Sequence, residues 1–370
     1  MRATADQVIS EIRIMRLNIP LRGSFQIATM GMERAENLLV KIVSSDGVCG
    51  WGEASPLRSI TGETQAIDLA AAAELKNLVI GRNPLAIGAL SALMARHLPH
   101  NTTIRSAFDM ALYDIASRYA SMPLYRFLGG EQRELETDIT IYIGDPDEAG
   151  TRAEEIVRAG FRVIKVKLGL DSGDDLKRIE VIRKAIGETP RLRIDANQAW
   201  GRIDALSMLH SLEKHSIELC EQPCLAADLR TLKFLSANSS IPIMADESLF
   251  SPQDALALDR DDVVPYFNIK LSKSGGLSQA QRIAHIAEAG GRVCMMGAMC
   301  ESRLGITAAA HFALANSVIK FCDLDSFYEH RDDPIQGGVT IRDGNLIVPD
   351  EPGIGAAPDE SYLAAPAEVD

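Results

Sequence analysis

Hydrophobic and polar positions follow two different rhythms along this chain, and the change falls near Gly130. Before it, residues 11–19, residues 37–43 and a segment from Gly47 have the pattern of strands. From about 64 to 128, apolar residues recur with the period of amphipathic helices. Strands followed by a run of helices are typical of an α+β domain, which we expect for the first third of the chain.

After Gly130, short apolar segments alternate with helical patterns. Such alternation indicates parallel strands joined by helical crossovers, and eight strands favour a barrel. The alternative, an open doubly wound sheet, needs a glycine-rich phosphate-binding turn after its first strand, and the chain contains neither GxGxxG nor GxxxxGK[ST]. The eight predicted strands cover residues 137–144, 161–169, 191–198, 217–223, 241–248, 266–273, 291–298 and 321–327.

Composition and charge exclude several classes of function. Of 370 residues, 51 are acidic and 38 are basic, which gives a net charge of −13 with no compensating basic run. This balance argues against nucleic acid or an anionic membrane as a partner. The N-terminal residues lack a secretory apolar segment, and no apolar run approaches the ~20 residues of a membrane span. We therefore expect a cytoplasmic protein.

Three acidic residues stand at the ends of neighbouring predicted strands. Asp195, Glu221 and Asp246 are 26 and 25 residues apart, about one strand–helix unit each. In a barrel the C-terminal ends of the strands share one mouth, where three carboxylates repel one another unless a cation joins them. Helix N-caps or loop acids are the alternative for each residue taken singly. The shared position at three strand ends favours a Mg²⁺ site, because Mg²⁺ prefers hard oxygen ligands.

Two lysines stand on one predicted strand. Lys165 and Lys167 alternate with Val166, so both point to the same face, which in a barrel is the interior. A solvent-facing strand edge is the alternative. A neighbouring ammonium group and Mg²⁺ lower the pKa of a lysine, which turns it into a base near neutral pH. Lys270, four strands further on, approaches the mouth from the opposite side.

Five short motifs contain these residues: KVK at 165–167, DAN at 195–197, EQP at 221–223, ADES at 245–248 and NIKLSKSGG at 268–276. In this order they resemble the enolase superfamily, in particular its muconate-lactonizing subgroup, over essentially the whole chain. The resemblance implies an α/β fold with a (β/α)7β TIM-type barrel over residues 131–339. It also implies an α+β capping domain over residues 1–130, to which a tail from about 340 to 370 returns.

The same resemblance implies a role for each of these side chains. The three acidic residues at the strand ends are implied as the Mg²⁺ ligands, which together hold a substrate carboxylate. Lys167 and Lys270 are implied as bases on the two faces of the carbon next to that carboxylate. Lys165 is expected to add positive charge near the carboxylate. Members of this family are often oligomeric, so a homo-oligomer is expected.

The segment FCDLDSF distinguishes reactions within the subgroup. Asp323 and Asp325 alternate on one strand face. In dipeptide epimerases of this subgroup such a pair holds the N-terminal ammonium of the substrate. The resemblance therefore implies an isomerase that epimerises a dipeptide at its C-terminal residue by 1,1-proton transfer through an enediolate. An N-succinylamino-acid racemase or a muconate cycloisomerase is the alternative enzyme, and a non-catalytic binding barrel is the alternative outside enzymes.

Substrate side chains are expected to contact the capping domain and the first barrel strand. The segment 21–32, expected to be a loop, offers Arg22 to an acidic side chain and two methionines to an apolar one. Thr140 and Tyr142 share one face of the first strand and, with Asn197, are expected to line the pocket. The choice between an acidic and a hydrophobic dipeptide stays open.

Overall fold

The computed structural model describes residues 7–364 of the chain. The N-terminal part is an α+β domain in which a three-stranded antiparallel sheet, in the order β1-β2-β3, packs against α4. Glycines allow this packing, because a Cβ atom at Gly52 would lie 1.9 Å from the carbonyl oxygen of Ala107 on α4. The elements are β1 Ile9–Ile27, β2 Met30–Ser44, β3 Cys49–Ala54, α1 Arg58–Thr61, α2 Gln65–Val79, α3 Ile87–His97, α4 Thr102–Tyr119 and α5 Leu124–Phe127.

The segment 21–32 differs from the loop that we expected. It forms the end of the β1–β2 hairpin, in which Phe25 pairs with Met32 and Ile27 pairs with Met30. Leu21, Phe25 and Ile27 keep the alternation of a strand, but Gly23 interrupts it where the pairing of the two strands is irregular, so the segment resembled a loop. The hairpin thereby extends as ordered strands towards the barrel.

The barrel strands form one eight-stranded sheet in sequential order, and every pairing is parallel. A parallel bridge between Thr137 and Cys322 joins the first strand to the last, which closes the sheet. All eight predicted strands are present, but most are shorter than predicted, so that several of the polar residues at their ends lie just beyond them. The strands are β4 Ile139–Ile141, β5 Val163–Lys167, β6 Arg191–Asp195, β7 Ile217–Glu221, β8 Ile243–Ala245, β9 Tyr266–Ile269, β10 Val293–Met296 and β11 Ile319–Cys322.

Helical crossovers connect successive strands and confirm the (β/α)7β architecture. Local sequence determines where several of them begin: Asp171 accepts hydrogen bonds from the first backbone N–H groups of α7, and Ser251 with Asp254 forms a capping box on α10. The helices are α6 Pro146–Arg158, α7 Ser172–Ile186, α8 Arg202–Leu212, α9 Leu229–Asn238, α10 Pro252–Arg260, α11 Leu271–Ser274, α12 Leu277–Ala289 and α13 Arg303–Ala315.

The C-terminal segment runs back to the N-terminal domain. The hydroxyl of Tyr362 donates a hydrogen bond to the carbonyl of Asn18 on β1, at 3.0 Å. The exact domain limits stay a prediction. Within residues 7–364, no helix combines the length and the apolar character that crossing a membrane requires. The remaining elements are β12 Ile335–Gly337, β13 Thr340–Arg342, β14 Asn345–Ile347, β15 Ala356–Pro358 and α14 Glu360–Ala364.

Buried carboxylates of the N-terminal domain accept hydrogen bonds from the first turns of barrel helices. Glu53 on β3 accepts from the backbone N–H groups of Ser302 at 2.8 Å and Gly305 at 2.9 Å, at the start of α13. Asp109 on α4 accepts from the N–H of Ser278 at 2.9 Å, at the start of α12. These N–H groups have no partner within their own helix and carry partial positive charge. The contacts therefore fix the N-terminal domain on the barrel.

We predict that Glu53→Gln destabilises the protein by about 1–3 kcal/mol. The two carboxylate oxygens accept from the amide of Asn37, the hydroxyl and N–H of Ser302 and the N–H of Gly305, so a carboxamide NH₂ would face donors. Urea unfolding measures the change. Glu180→Gln, on a half-exposed helix surface, is the control and is expected to stay within about 0.5 kcal/mol. Equal free energies of unfolding for both variants would contradict this role for Glu53.

Candidate active site

The interior face of three adjacent strands carries the first group of predicted residues. In the register of the sheet, Lys167 on β5 lies beside Asp195 on β6, which lies beside Glu221 on β7. Lys165 lies one interior position below Lys167, beside Arg193. All five side chains are buried. The alternation in KVK therefore directs both ammonium groups into the barrel, and neither lies on a solvent-facing edge.

Lys165 is the centre of an ionic network. Its Nζ donates to Oδ2 of Asp323 at 2.7 Å and lies 2.7 Å from Oε2 of Glu221 and 3.2 Å from Oδ2 of Asp195. One ammonium group thus contacts two of the predicted metal ligands and one residue of the DLD motif. The ends of the third, fourth and eighth barrel strands are joined through this single side chain.

The two predicted bases face each other across the mouth. Nζ of Lys167 is 2.6 Å from Oδ2 of Asp195, and Nζ of Lys270 is 2.8 Å from Oδ2 of Asp246. Their strands, β5 and β9, are four positions apart in a closed sheet of eight, so the side chains approach from opposite sides. Lys270 follows the last residue of β9, where the chain turns into α11.

The pKa values of two of these lysines differ from the sequence-based expectation. Burial acts to lower the pKa of Lys270, but the charges of Asp246 and Glu221 outweigh it and raise that pKa. The pKa of Lys165 is raised in the same way, because Asp323, Glu221 and Asp195 outweigh burial. The lowering that we expected does not arise from the protein groups alone. A cation on the same carboxylates would offset their charge and favour it.

Three residues in this region were not singled out from the sequence as site residues. The amide of Asn268 donates to Oε1 of Glu221 at 2.6 Å. Lys273 forms an ion pair with Asp246, and Glu247 accepts from the amide of Asn197 at 3.2 Å. Each belongs to a motif already quoted: Asn268 and Lys273 to NIKLSKSGG, and Glu247 to ADES. Alternation with Lys270 was the signal that could have found Asn268, whereas Glu247 and Lys273 lie beyond the ends of β8 and β9, where only their position at the strand ends marked them.

The DLD residues form a cluster with a third acid. Asp138, Asp323 and Asp325 are all buried, and one oxygen of each lies within 4.8 Å of the others. Within residues 7–364, this is the set of three acidic side chains that approaches so closely; the predicted Mg²⁺ ligands do not, and the ammonium groups of Lys165 and Lys270 form ion pairs with them. Asp138 precedes β4 and was not singled out from the sequence.

The residues expected to line the pocket lie in two places. Thr140 and Tyr142 lie at β4, close to the hairpin that carries Arg22, and Asn197 follows β6. The N–H of Thr140 donates to Oδ2 of Asp325 at 2.7 Å. Asn197 turns the chain after β6 with a φ of 40°, a left-handed conformation that is uncommon outside glycine. The ring of Tyr142 packs against that of Phe25 with centroids 4.6 Å apart, which brings the hairpin to the end of β4. Arg22 uses its Nε to donate to the carbonyl of His330 at 2.7 Å.

The donor set at the mouth suits a hard divalent cation. Asp195, Glu221 and Asp246 are buried and offer only carboxylate oxygens. Burial, with the charge of Asp195, raises the pKa of Glu221 to about 7, and burial, with the charge of Asp246, raises that of Glu247 to about 8. The pKa values of Asp195 and Asp246 are lowered instead, because the ammonium groups of Lys167 and Lys165 and of Lys270 and Lys273 outweigh burial. The site therefore holds ionised carboxylates, whose oxygens are the ligands that Mg²⁺ prefers.

Comparison with known families identifies this arrangement. A profile described as the N-terminal domain of mandelate racemase and muconate-lactonizing enzyme matches residues 9–129, and the enolase C-terminal domain-like profile matches residues 148–362. The chain belongs to the mandelate racemase/muconate-lactonizing enzyme family. The resemblance seen in the sequence motifs is thereby confirmed.

Several relatives of this protein are epimerases. An L-Ala-D/L-Glu epimerase of Clostridium acetobutylicum is 37% identical over 94% of this chain and 98% of its own length. A hydrophobic dipeptide epimerase of Enterococcus faecalis is 38% identical over 92% of this chain and 96% of its own. A structure of a dipeptide epimerase from Cytophaga hutchinsonii, complexed with Mg and D-Ala-L-Val, matches with a TM-score of 0.95 and 37% identity over 96% of this chain and 98% of its own. This family member is therefore an enzyme of the isomerase class.

Proposed function

We propose that this enzyme epimerises dipeptides that carry a free N-terminal ammonium, at the stereocentre of their C-terminal residue. The contacts of Lys165 carry the proposal. The ammonium group of Lys165 contacts Asp195 and Glu221, two of the proposed Mg²⁺ ligands, and also Asp323 of the acidic pair Asp323 and Asp325. A zwitterionic dipeptide has opposite charges at its two ends and matches this polarity. A muconate or an N-succinyl amino acid has no ammonium, and the acidic pair would repel its additional carboxylate.

The two opposed lysines account for the reaction. The neutral amine of Lys167 or Lys270 takes the α-proton of the C-terminal residue, and the electron pair of the broken C–H bond delocalises into the neighbouring carboxylate as an enediolate. The ammonium group of the other lysine then gives a proton to the opposite face of the α-carbon, which inverts it. One lysine gains a proton as the other loses one, so the step balances without a further reactant, and the roles exchange in the reverse direction.

Mg²⁺ is part of this proposal. Asp195, Glu221 and Asp246 would hold it, and when bound it supplies positive charge that stabilises the negative charge developing on the substrate carboxylate. Lys165 adds a second positive charge at the same end of the substrate. Its three ionic contacts hold its ammonium group in place before substrate binds.

Incubation with Mg²⁺ and pools of L,L-dipeptides in D₂O tests the activity directly. We expect a gain of one mass unit in a subset of the dipeptides, because the proton returned to the α-carbon comes from solvent. Mass spectrometry detects it and at the same time identifies the accepted side chains. Exchange of N-succinyl amino acids with no exchange in any dipeptide would contradict the proposal and favour the racemase alternative.

Lys167→Ala and Lys270→Ala are each expected to lower the epimerisation rate by roughly 10²–10⁴-fold. The lysine that remains can still remove and return a proton on its own face. Each variant should therefore exchange the α-proton of one diastereomer only, and the two variants should prefer opposite diastereomers. Lys177→Ala, in an exposed ion pair with Asp147, is the control and should retain full turnover. Exchange of both diastereomers by either active-site variant would contradict the assignment of two bases.

Thermal unfolding with and without Mg²⁺ locates the metal. Mg²⁺ is expected to raise the Tm of the unaltered protein and of Asp323→Asn, because a ligand that binds only the folded state stabilises it. Glu221→Gln removes one carboxylate of the proposed site and should lose most of the increase. A retained increase in Glu221→Gln with a lost one in Asp323→Asn would instead place the metal among Asp138, Asp323 and Asp325.

A further inference from the structure

Asp138 is a buried carboxylate that the proposed chemistry leaves without a role. Its side chain has no solvent exposure, and its Oδ2 accepts from Nη1 of Arg193 at 2.8 Å. Its Oδ1 is also buried and has no hydrogen-bond partner within the described part of the chain. Leaving a buried carboxylate oxygen without a donor is unfavourable, so such an atom points to a ligand that donates to it.

The surroundings of Asp138 resemble those of its two acidic neighbours. Each of the three carboxylates is held through one oxygen by a fixed donor: Asp138 by Arg193, Asp323 by Lys165 and Asp325 by the N–H of Thr140. One oxygen of each acid lies within 4.8 Å of the others. The cluster is therefore anchored from outside by groups that belong to three different strands, and its geometry is set before a ligand arrives.

We propose that Asp138 is the third acceptor for the N-terminal ammonium of the substrate, alongside Asp323 and Asp325. This inference rests on the proposed dipeptide epimerase activity. A primary ammonium has three N–H donors, one for each carboxylate. A nitrogen above the centre of a triangle with 4.8 Å sides can lie about 2.8 Å from each corner, which is the length of a charge-assisted hydrogen bond.

The charges of the cluster favour a cationic ligand. Lys165 and Arg193 are the positive charges paired with Asp323 and Asp138, and both are shared with carboxylates outside the cluster, so a further positive charge offsets an excess of negative charge. Burial and the neighbouring charge of Asp323 raise the pKa of Asp138, as expected for a carboxyl group whose counter-charge is incomplete. The charge of the acids would select an ammonium over an acylated nitrogen, and their three acceptors would select a primary amine over a methylated one.

Methylation of the substrate amine tests whether two or three carboxylates accept hydrogen bonds from it. N-methylation keeps the positive charge but removes one N–H donor. With three acceptors, the N-methyl form of an accepted dipeptide should have a kcat/KM at least about tenfold lower than the parent, mainly through KM, because one carboxylate loses its donor. With two acceptors, one N–H is spare. An unchanged kcat/KM for the N-methyl dipeptide in the unaltered protein would overturn the proposal.

The variant Asp138→Asn tests whether the loss of kcat/KM on N-methylation depends on Asp138. The variant keeps an acceptor for Arg193 and removes the negative charge. We expect a kcat/KM about tenfold lower for the parent dipeptide, and N-methylation should then lower it less than threefold further, since the affected acceptor is already gone. Equal effects of methylation in both proteins would overturn the role of Asp138, as would equal losses for the parent and N-acetyl dipeptides.

Glu218→Gln is the matched control. Glu218 is the other carboxylate on Arg193, at 2.6 Å from its Nε, and lies outside the three-acid cluster. This change should leave the ratio of the kcat/KM values for the parent and N-methyl dipeptides as it is in the unaltered protein.

Different results would overturn the dipeptide epimerase activity and the role of Asp138. Exchange of N-succinyl amino acids but of no dipeptide overturns both. Dipeptide exchange in which Asp138→Asn and N-methylation each lower kcat/KM independently of the other overturns only the role of Asp138.

Discussion

The balance of charge inside the barrel is the constraint on which the site depends. Among the described residues, the predicted site and the groups that contact it bring together seven buried carboxyl groups and five buried cationic groups, so this set has two negative charges in excess when all are ionised. Burial in a medium of low polarity makes such an excess unfavourable unless a cation offsets it. The carboxyl groups are those of Asp138, Asp195, Glu221, Asp246, Glu247, Asp323 and Asp325, and the cationic groups are those of Lys165, Lys167, Arg193, Lys270 and Lys273. A divalent cation, as proposed at Asp195, Glu221 and Asp246, would supply the missing charge.

The sequence predicted the fold well wherever a strand was followed by a helix. In the barrel, the two-residue period of the strands and the 3.6-residue period of the helices are both strong. Alternation alone sets the face on which a polar residue at a strand end lies. The prediction failed for residues 21–32, since Gly23 interrupts an otherwise regular alternation at the point where the pairing of the two strands is irregular. Strand ends such as that of β9 were also placed too late, because Lys270 continues the alternation although the chain already turns into α11.

Asp138 was missed for a physical reason that its neighbours in the sequence do not reveal. Asp138 approaches Asp323 because the first and last strands of the barrel meet through the bridge from Thr137 to Cys322, and no local pattern reveals that meeting. The raised pKa of Lys270 could not be predicted from its own strand either, because it results from the carboxylates of Asp246 and Glu221 on other strands. Alternation identifies the face of a strand, whereas the layer in which a side chain lies depends on the stagger between strands.

The N-terminal domain contacts the barrel in two ways. Glu53 and Asp109 bind the starts of α13 and α12 through buried hydrogen bonds, which hold the domain in one position. The end of the hairpin, in contrast, reaches β4 and the segment after β11 through the ring of Phe25 and the guanidinium of Arg22. Neither contact involves a lysine or a predicted metal ligand. Substitutions in the hairpin would therefore leave the lysines and the predicted metal ligands in place. Relatives that share this architecture are named for different dipeptides, as in an L-Ala-D/L-Glu epimerase and a hydrophobic dipeptide epimerase.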